Sequence, residues 1–170
     1  MRKLLSALVL LAVVAGPALA AAPVSISSAR VFAPAQAGRT VAVVRPESGS
    51  EEADRALEAG LRAAGLTVAP PGESAALLVS YVVDVRRVFG VFPNGAHAGS
   101  VYVPASSVND NYDRIATVVA WNAGSARPTP EAVAWITRLR SSGLSGDPAQ
   151  FLPAMLRAGS PDYGRDRPRG

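Results

Sequence analysis

Residues 75–87 read AALLVSYVVDVRR, the longest run in the chain that can satisfy itself only by lying inside a sheet. In an extended chain Leu77, Val79, Tyr81, Val83 and Val85 fall on one side and Leu78, Ser80, Val82 and Asp84 on the other. One side is wholly apolar and the other half so. That is the pattern of a central strand, covered on one face and partly covered on the other.

Working back from it, Pro70-Pro71-Gly72-Glu73 makes a turn, and Leu66 to Ala69 a short strand. Before that lies an amphipathic helix. Ser48-Gly49-Ser50-Glu51 fits a capping box, Ala53, Leu57, Gly60, Leu61 and Ala64 recur on one face, and Gly65 supplies the stop. Glu51 with Arg55 and Glu58 with Arg62 stand four apart in the favourable order. The nearly continuous apolar run Thr40 to Arg45 is a buried strand ended by Pro46. A short strand at Arg30 to Ala33 precedes it, and Ala21 to Ala29 is read as a loose lead.

Working forward, residues 88–103 alternate apolar residues with breakers. Asn94-Gly95 predicts a tight hairpin turn, with Val101 and Val103 pairing back towards Phe89 and Val91 and a polar loop from Ala105 to Asp113. Arg114 to Asn122 is a strong strand, with Ile115, Thr117, Val119 and Trp121 on one face. Thr129-Pro130-Glu131 reads as a helix start, with Ala132, Trp135, Ile136 and Leu139 as its stripe and Gly143 as its end. Asp147-Pro148 opens a second helix through Phe151 to Ala158, which Pro153 kinks. Gly159 to Gly170 has no core-forming pattern and reads as a disordered tail. The predicted fold class is α+β: a mainly antiparallel sheet of about four to five strands with helices packed on one face, a two-layer sandwich.

The first 20 residues have the layout of an export signal: Arg2 and Lys3, an apolar core from Leu4 to Ala15, the break Gly16-Pro17, and Ala18-Leu19-Ala20 as a cleavage site. A retained membrane anchor is the alternative, and the helix-breaking Gly16-Pro17 favours cleavage after Ala20. The expected organisation is a signal peptide over 1–20, a flexible lead over 21–29, one domain over 30–158 and the tail over 159–170. Cleavage removes two of the 17 basic residues, against 13 acidic ones, so a net charge of about +2 remains. That is too little to suggest a nucleic-acid partner. The chain has no cysteine, which excludes disulfides, thiol catalysis, thiolate metal sites and a lipid-modified N-terminal Cys. No integral membrane span is expected once the signal is gone, and the expected location is periplasmic or secreted.

The stretches GRTVAVVRP (38–46), LRAAGLTV (61–68), AALLVSYVVDV (75–85), IATVVAWNAG (115–124) and FLPAMLRA (151–158) give the chain a further feature. From Arg30 to Ala158 it resembles the bacterial domain of unknown function common in cell-envelope lipoproteins of Gram-negative bacteria. The resemblance implies a compact α/β sandwich in the periplasm, without established catalytic residues to carry over. The chain departs from that pattern in lacking the lipidation Cys, and the acidic turn before the late Trp strand is blurred into Asn109 to Arg114.

No motif names a reaction. His97 is the single histidine, in a Gly- and Asn-rich loop. A hydrolase or small-ligand site would pair it with Asp110 or Asp113, yet no nucleophile elbow or ligand spacing selects those residues, and an exposed loop His is the simpler reading. Asn109 to Asp113 gathers oxygen ligands of the kind calcium takes, but without EF-hand spacing, so an Asx-rich turn is the simpler reading there too. Asp84 with Arg86 reads as a structural ion pair, Trp121 and Trp135 as core, and the tail arginines as solvated. No glycine-rich phosphate loop is present, and no cofactor or metal is implied. The functional expectation is a non-enzymatic, exported envelope accessory or binding protein with an envelope-protein partner. Its contacts are expected through a sheet edge or the excursion from Phe89 to Asp113, and Phe89, Phe92, His97 and Tyr102 are the candidate binding residues.

Overall fold

The computed structural model describes residues 24–32, 39–89, 97–98, 101–102 and 110–167. The chain runs β1 (Ser25–Val31), β2 (Thr40–Val43), α1 (Glu51–Ala63), β3 (Thr67–Val68), β4 (Leu77–Phe89), β5 (His97–Ala98), β6 (Val101–Tyr102), β7 (Asp110–Asn122), β8 (Val133–Gly143), α2 (Pro148–Ala158) and a 3-10 turn at Ser160–Asp162. The principal sheet has six strands in the order β1-β8-β7-β4-β2-β3.

The sheet is mixed. β2 lies parallel to both β3 and β4, because α1 is the crossover that returns the chain beside β2. β4, β7, β8 and β1 follow one another antiparallel. Strand number and the parallel half therefore correct the expected antiparallel sheet of four to five strands, while the α+β class holds. The strand predicted from 75–87 is central, paired along its length with β7 from Leu77↔Asn122 to Phe89↔Asp110.

One face of this sheet is packed. Val41, Leu77, Val79, Tyr81, Ala116, Val118, Trp135 and Leu139 meet Leu57 and Leu61 of α1 and Phe151, Leu152, Met155 and Leu156 of α2 in one cluster. Side chains such as Leu57, Leu61 and Leu77, with no exposed surface, each contribute roughly 1.5–3 kcal/mol on burial. The start of α1 differs from expectation. Ser50 is the N-cap, its hydroxyl accepting from the Ala53 amide at 3.2 Å, so the capping box at Ser48 does not form. The end is as predicted: Gly65 has φ 86°, its amide donates to Arg62 O and that of Leu66 to Leu61 O, a Schellman closure that needs a residue without a Cβ penalty.

Three local expectations are overturned. Val133–Gly143, read as a helix, is a strand in which Trp135, Thr137, Leu139 and Ser141 are buried while Arg138, Arg140 and Ser142 are exposed. Trp135 and Leu139 suit either period, and strand pairing with both β7 and β1 decides between them. The lead is partly ordered into β1, which begins at Ser25 rather than Arg30.

Residues 159–167 also belong to the fold rather than to a disordered tail. Tyr163 is buried, stacks on Trp135 with ring centroids 5.8 Å apart, and donates its hydroxyl to Leu156 O at 2.6 Å. Thr137 donates to Asp162 O at 3.2 Å, and the Arg167 amide donates to Ala29 O on the free edge of β1. Residues 168–170 lie outside the described set.

Candidate binding surface

The second face of the sheet has no helix over it. Period-two alternation places Leu78, Ser80, Val82 and Asp84 of β4 on it, next to Trp121, Val119, Thr117 and Ile115 of β7, and these beside Ile136, Arg138 and Arg140 of β8. Ser28 and Arg30 of β1 continue the rows. Val82 is 67% exposed and Val88 46%, whereas Val79 and Tyr81, their neighbours on the other face, are almost wholly buried. The expected partial cover holds at one end of this face, where Trp121 is 4% exposed and donates its indole N–H to Ser125 O, while Val82 lies open. Leu78, Ile115, Val119 and Ile136 are half-buried and make an apolar middle three strands wide.

Arginine frames this middle. Arg140 donates through two nitrogens to the Asp113 carboxylate at 2.8 and 2.9 Å, a bidentate pair. That hydrogen bonding, helped by the charge of Arg86, holds the Asp113 carboxyl below its ordinary range. Arg86 donates to Asp84 at 3.0 Å, the structural ion pair read from the sequence. Arg30 and Arg138 are exposed and pair with no described carboxylate. Among the described residues the face thus carries four guanidiniums against two carboxylates. Where β4, β7 and β8 end together, a concavity of about 400 Å³ is lined by Val88, Asn111, Asp113, Arg140 and Ser142, among others.

Of the candidate binding residues, only the backbone at Phe89, His97 and Tyr102 is described. Phe89 closes β4, its backbone opposite Asp110 rather than Val101 or Val103. His97 pairs with Tyr102 and Ala98 with Val101 in a separate two-stranded ribbon. The side chains of Phe89, His97, Tyr102 and Asp110 lie outside the described set, as do Phe92 and the Asn94-Gly95 turn. The polar loop expected over Ala105 to Asp113 gives way to β7 from Asp110 onward. Asp113 is therefore fixed on a strand by Arg140. Among the described residues no group of three or more His, Asp or Glu comes together as a metal site would require.

A polar junction that the sequence reading missed lies on the packed side. Tyr81 donates its hydroxyl to Asp54 Oδ1 at 3.0 Å and accepts the Ser50 amide at 3.3 Å. Arg45 Nε donates to the other Asp54 oxygen. The junction ties the end of β2, the first turn of α1 and the middle of β4. Its one local signal is a tyrosine in an otherwise aliphatic inward row, which demands a partner for its hydroxyl. Gly49 is required beside it, because a Cβ there would stand 2.7 Å from the Tyr81 oxygen.

Burial, and then the bond to Asp54, push the Tyr81 phenol from 10 up to about 12. The unfolded chain ionises first, so the stability from this junction is complete below about pH 10 and is lost as pH rises towards 12. In alkaline titration followed by circular dichroism, Tyr81→Phe is expected to flatten the fall in stability between these values. An unchanged slope would separate Tyr81 from it.

With this geometry in view, comparison with known proteins adds little. No protein-family model and no curated protein matches the chain. Similar solved structures include the PelC dodecamer from Paraburkholderia phytofirmans, 14% identical over 85% of this chain and 99% of that one, with a TM-score of 0.44. A minor lipoprotein from Acinetobacter baumannii is 11% identical over 74% and 89%, at 0.38. A DUF4136 family protein from Bacteroides thetaiotaomicron is 15% identical over 85% and 94%, at 0.33. Identities and scores this low leave function to be read from the residues of this chain. Among the described residues no helix is long and apolar enough to cross a membrane.

Proposed function

We propose that this is an exported, non-catalytic protein of the cell envelope that works by binding another protein through the open face of its sheet. The observation that carries the reading is Val82, a large β-branched residue at the centre of a paired strand and 67% exposed. Scattered apolar residues on a surface need no explanation, but contiguous ones framed by charge mark interaction sites. Here Val82, Leu78, Ile115, Val119 and Ile136 are neighbours across three strands. Phe89, Phe92, His97 and Tyr102, in the segment that joins β4 to β7 in sequence, are proposed as further contacts for the same partner. The export signal at residues 1–20 supplies the compartment.

The test is made in the producing cell. A photoreactive phenylalanine analogue at position 82 should give a crosslinked adduct in the envelope fraction, and the same analogue at Glu73, in a turn, should give none. Equal behaviour at the two positions, or recovery of the chain from the cytosol alone, would overturn the proposal.

A further inference from the structure

We infer that the occupant of the open sheet face is the helix layer of a second copy of this chain, joined head to tail; this rests on the reading of that face as a binding surface. The first step is architectural. All-parallel sheets are covered on both faces, usually by helices, and the parallel part of this mixed sheet, β2 with β3 and β4, has helices over one face only among the described residues. In one copy α1 and α2 cover one face, and Ala42, Leu78, Val82 and Val119 are left on the other.

Charge selects the helices. The sheet face carries Arg30, Arg86, Arg138 and Arg140 against Asp84 and Asp113. The outer side of the helix layer reverses this balance, with Glu47, Glu51, Glu52, Glu58 and Asp147 against Arg55, Arg62 and Arg157. Two sheet faces together would oppose net positive surfaces, and two helix layers net negative ones. A sheet face against a helix layer brings opposite signs together.

Shape agrees. Ala59 and Ala63 of α1 and Ala154 and Ala158 of α2 are exposed, so the helix surface has low ground that could receive a projecting side chain such as Val82, 67% exposed. The outward rows from Leu78 to Asp84 span six residues, about 20 Å of strand. The 13 residues of α1 make a rod of about 20 Å. A contact of this kind is heterologous: each copy offers one surface and leaves the other free, so assembly continues beyond two copies until it closes.

The experiment uses the exported chain and sedimentation velocity from micromolar to millimolar concentration at low salt. The wild type should grow past dimer with concentration. Arg30→Glu with Arg138→Glu reverses the sheet face, and Glu47→Arg with Glu52→Arg reverses the helix layer. Each pair alone should weaken association by about tenfold or more, as like charges then meet. A chain carrying all four substitutions should associate again, and thermal melts establish that every variant folds. A wild type that stays monomeric throughout, or a fourfold variant that stays dissociated, overturns the inference. The crosslink at position 82 separates it from the broader proposal: an adduct with a different protein removes the second copy and keeps the binding face, whereas no adduct and no self-association remove both.

Discussion

Ending the chain after Gly159 is expected to cost about 3–5 kcal/mol, the range for removing a large aromatic side chain from a core. The lost segment contains Tyr163, which is 1% exposed, stacks on Trp135 and bonds to Leu156 O. It also contains Asp162, whose carbonyl accepts from the otherwise buried Thr137 hydroxyl. Domains of this size are stable by only about 5–15 kcal/mol, so the shortened chain should melt far below the full one. Tyr163→Ala should reproduce most of the loss. Tyr163→Phe, which keeps the ring and removes one hydrogen bond, should cost about 1 kcal/mol. Equal stability of the full and shortened chains in urea would show that residues 160–170 lie outside the core.

The second large effect is a contrast along β8. Leu139→Ala should cost about 2–5 kcal/mol, because the side chain is wholly buried and the hole cannot be refilled by solvent. Ile136→Lys should cost under about 1 kcal/mol, since Ile136 sits on the open face beside Arg30 and Val119. On a helix these two residues, three apart, would share a face and suffer together. Two losses of similar size in chemical denaturation would restore the helical reading of 133–143 and remove β8 from the sheet.

That contrast shows where the sequence was legible. β4 and α1 carry unambiguous periods, and Gly65 marks an end that the backbone requires, so both elements can be read locally. β8 could not be read in the same way. Trp135, Ile136 and Leu139 fit a helical stripe, and Thr129-Pro130 imitates a helix start. The period-two signal that outweighs them, Thr137 and Ser141 inward against Arg138 and Arg140 outward, puts polar residues on the buried side. Those polar groups are tolerated because Thr137 bonds to Asp162 O and Ser141 to the Met155 sulfur, partners supplied by segments more than ten residues away.

Tyr163 was hidden for a related reason. One aromatic residue among Gly, Pro, Asp and Arg lacks a pattern, and only docking against Trp135 gives it a place. The open face was half visible: alternation placed Leu78, Ser80, Val82 and Asp84 together, but whether anything lies over them depends on where α1 and α2 pack. The junction of Arg45, Asp54 and Tyr81 joins residues up to 36 positions apart and has no local spacing to reveal it.

β4 has one side packed under the helices and the other without a helix over it among the described residues, and the absence of native cysteine allows this asymmetry to be measured directly. Single cysteines at Val79, Ser80, Tyr81 and Val82 in the dilute, folded protein can be timed against a maleimide. Modification should alternate, fast at 80 and 82 and slow at 79 and 81. Uniform protection, uniform reactivity or a repeat of three to four residues would contradict it.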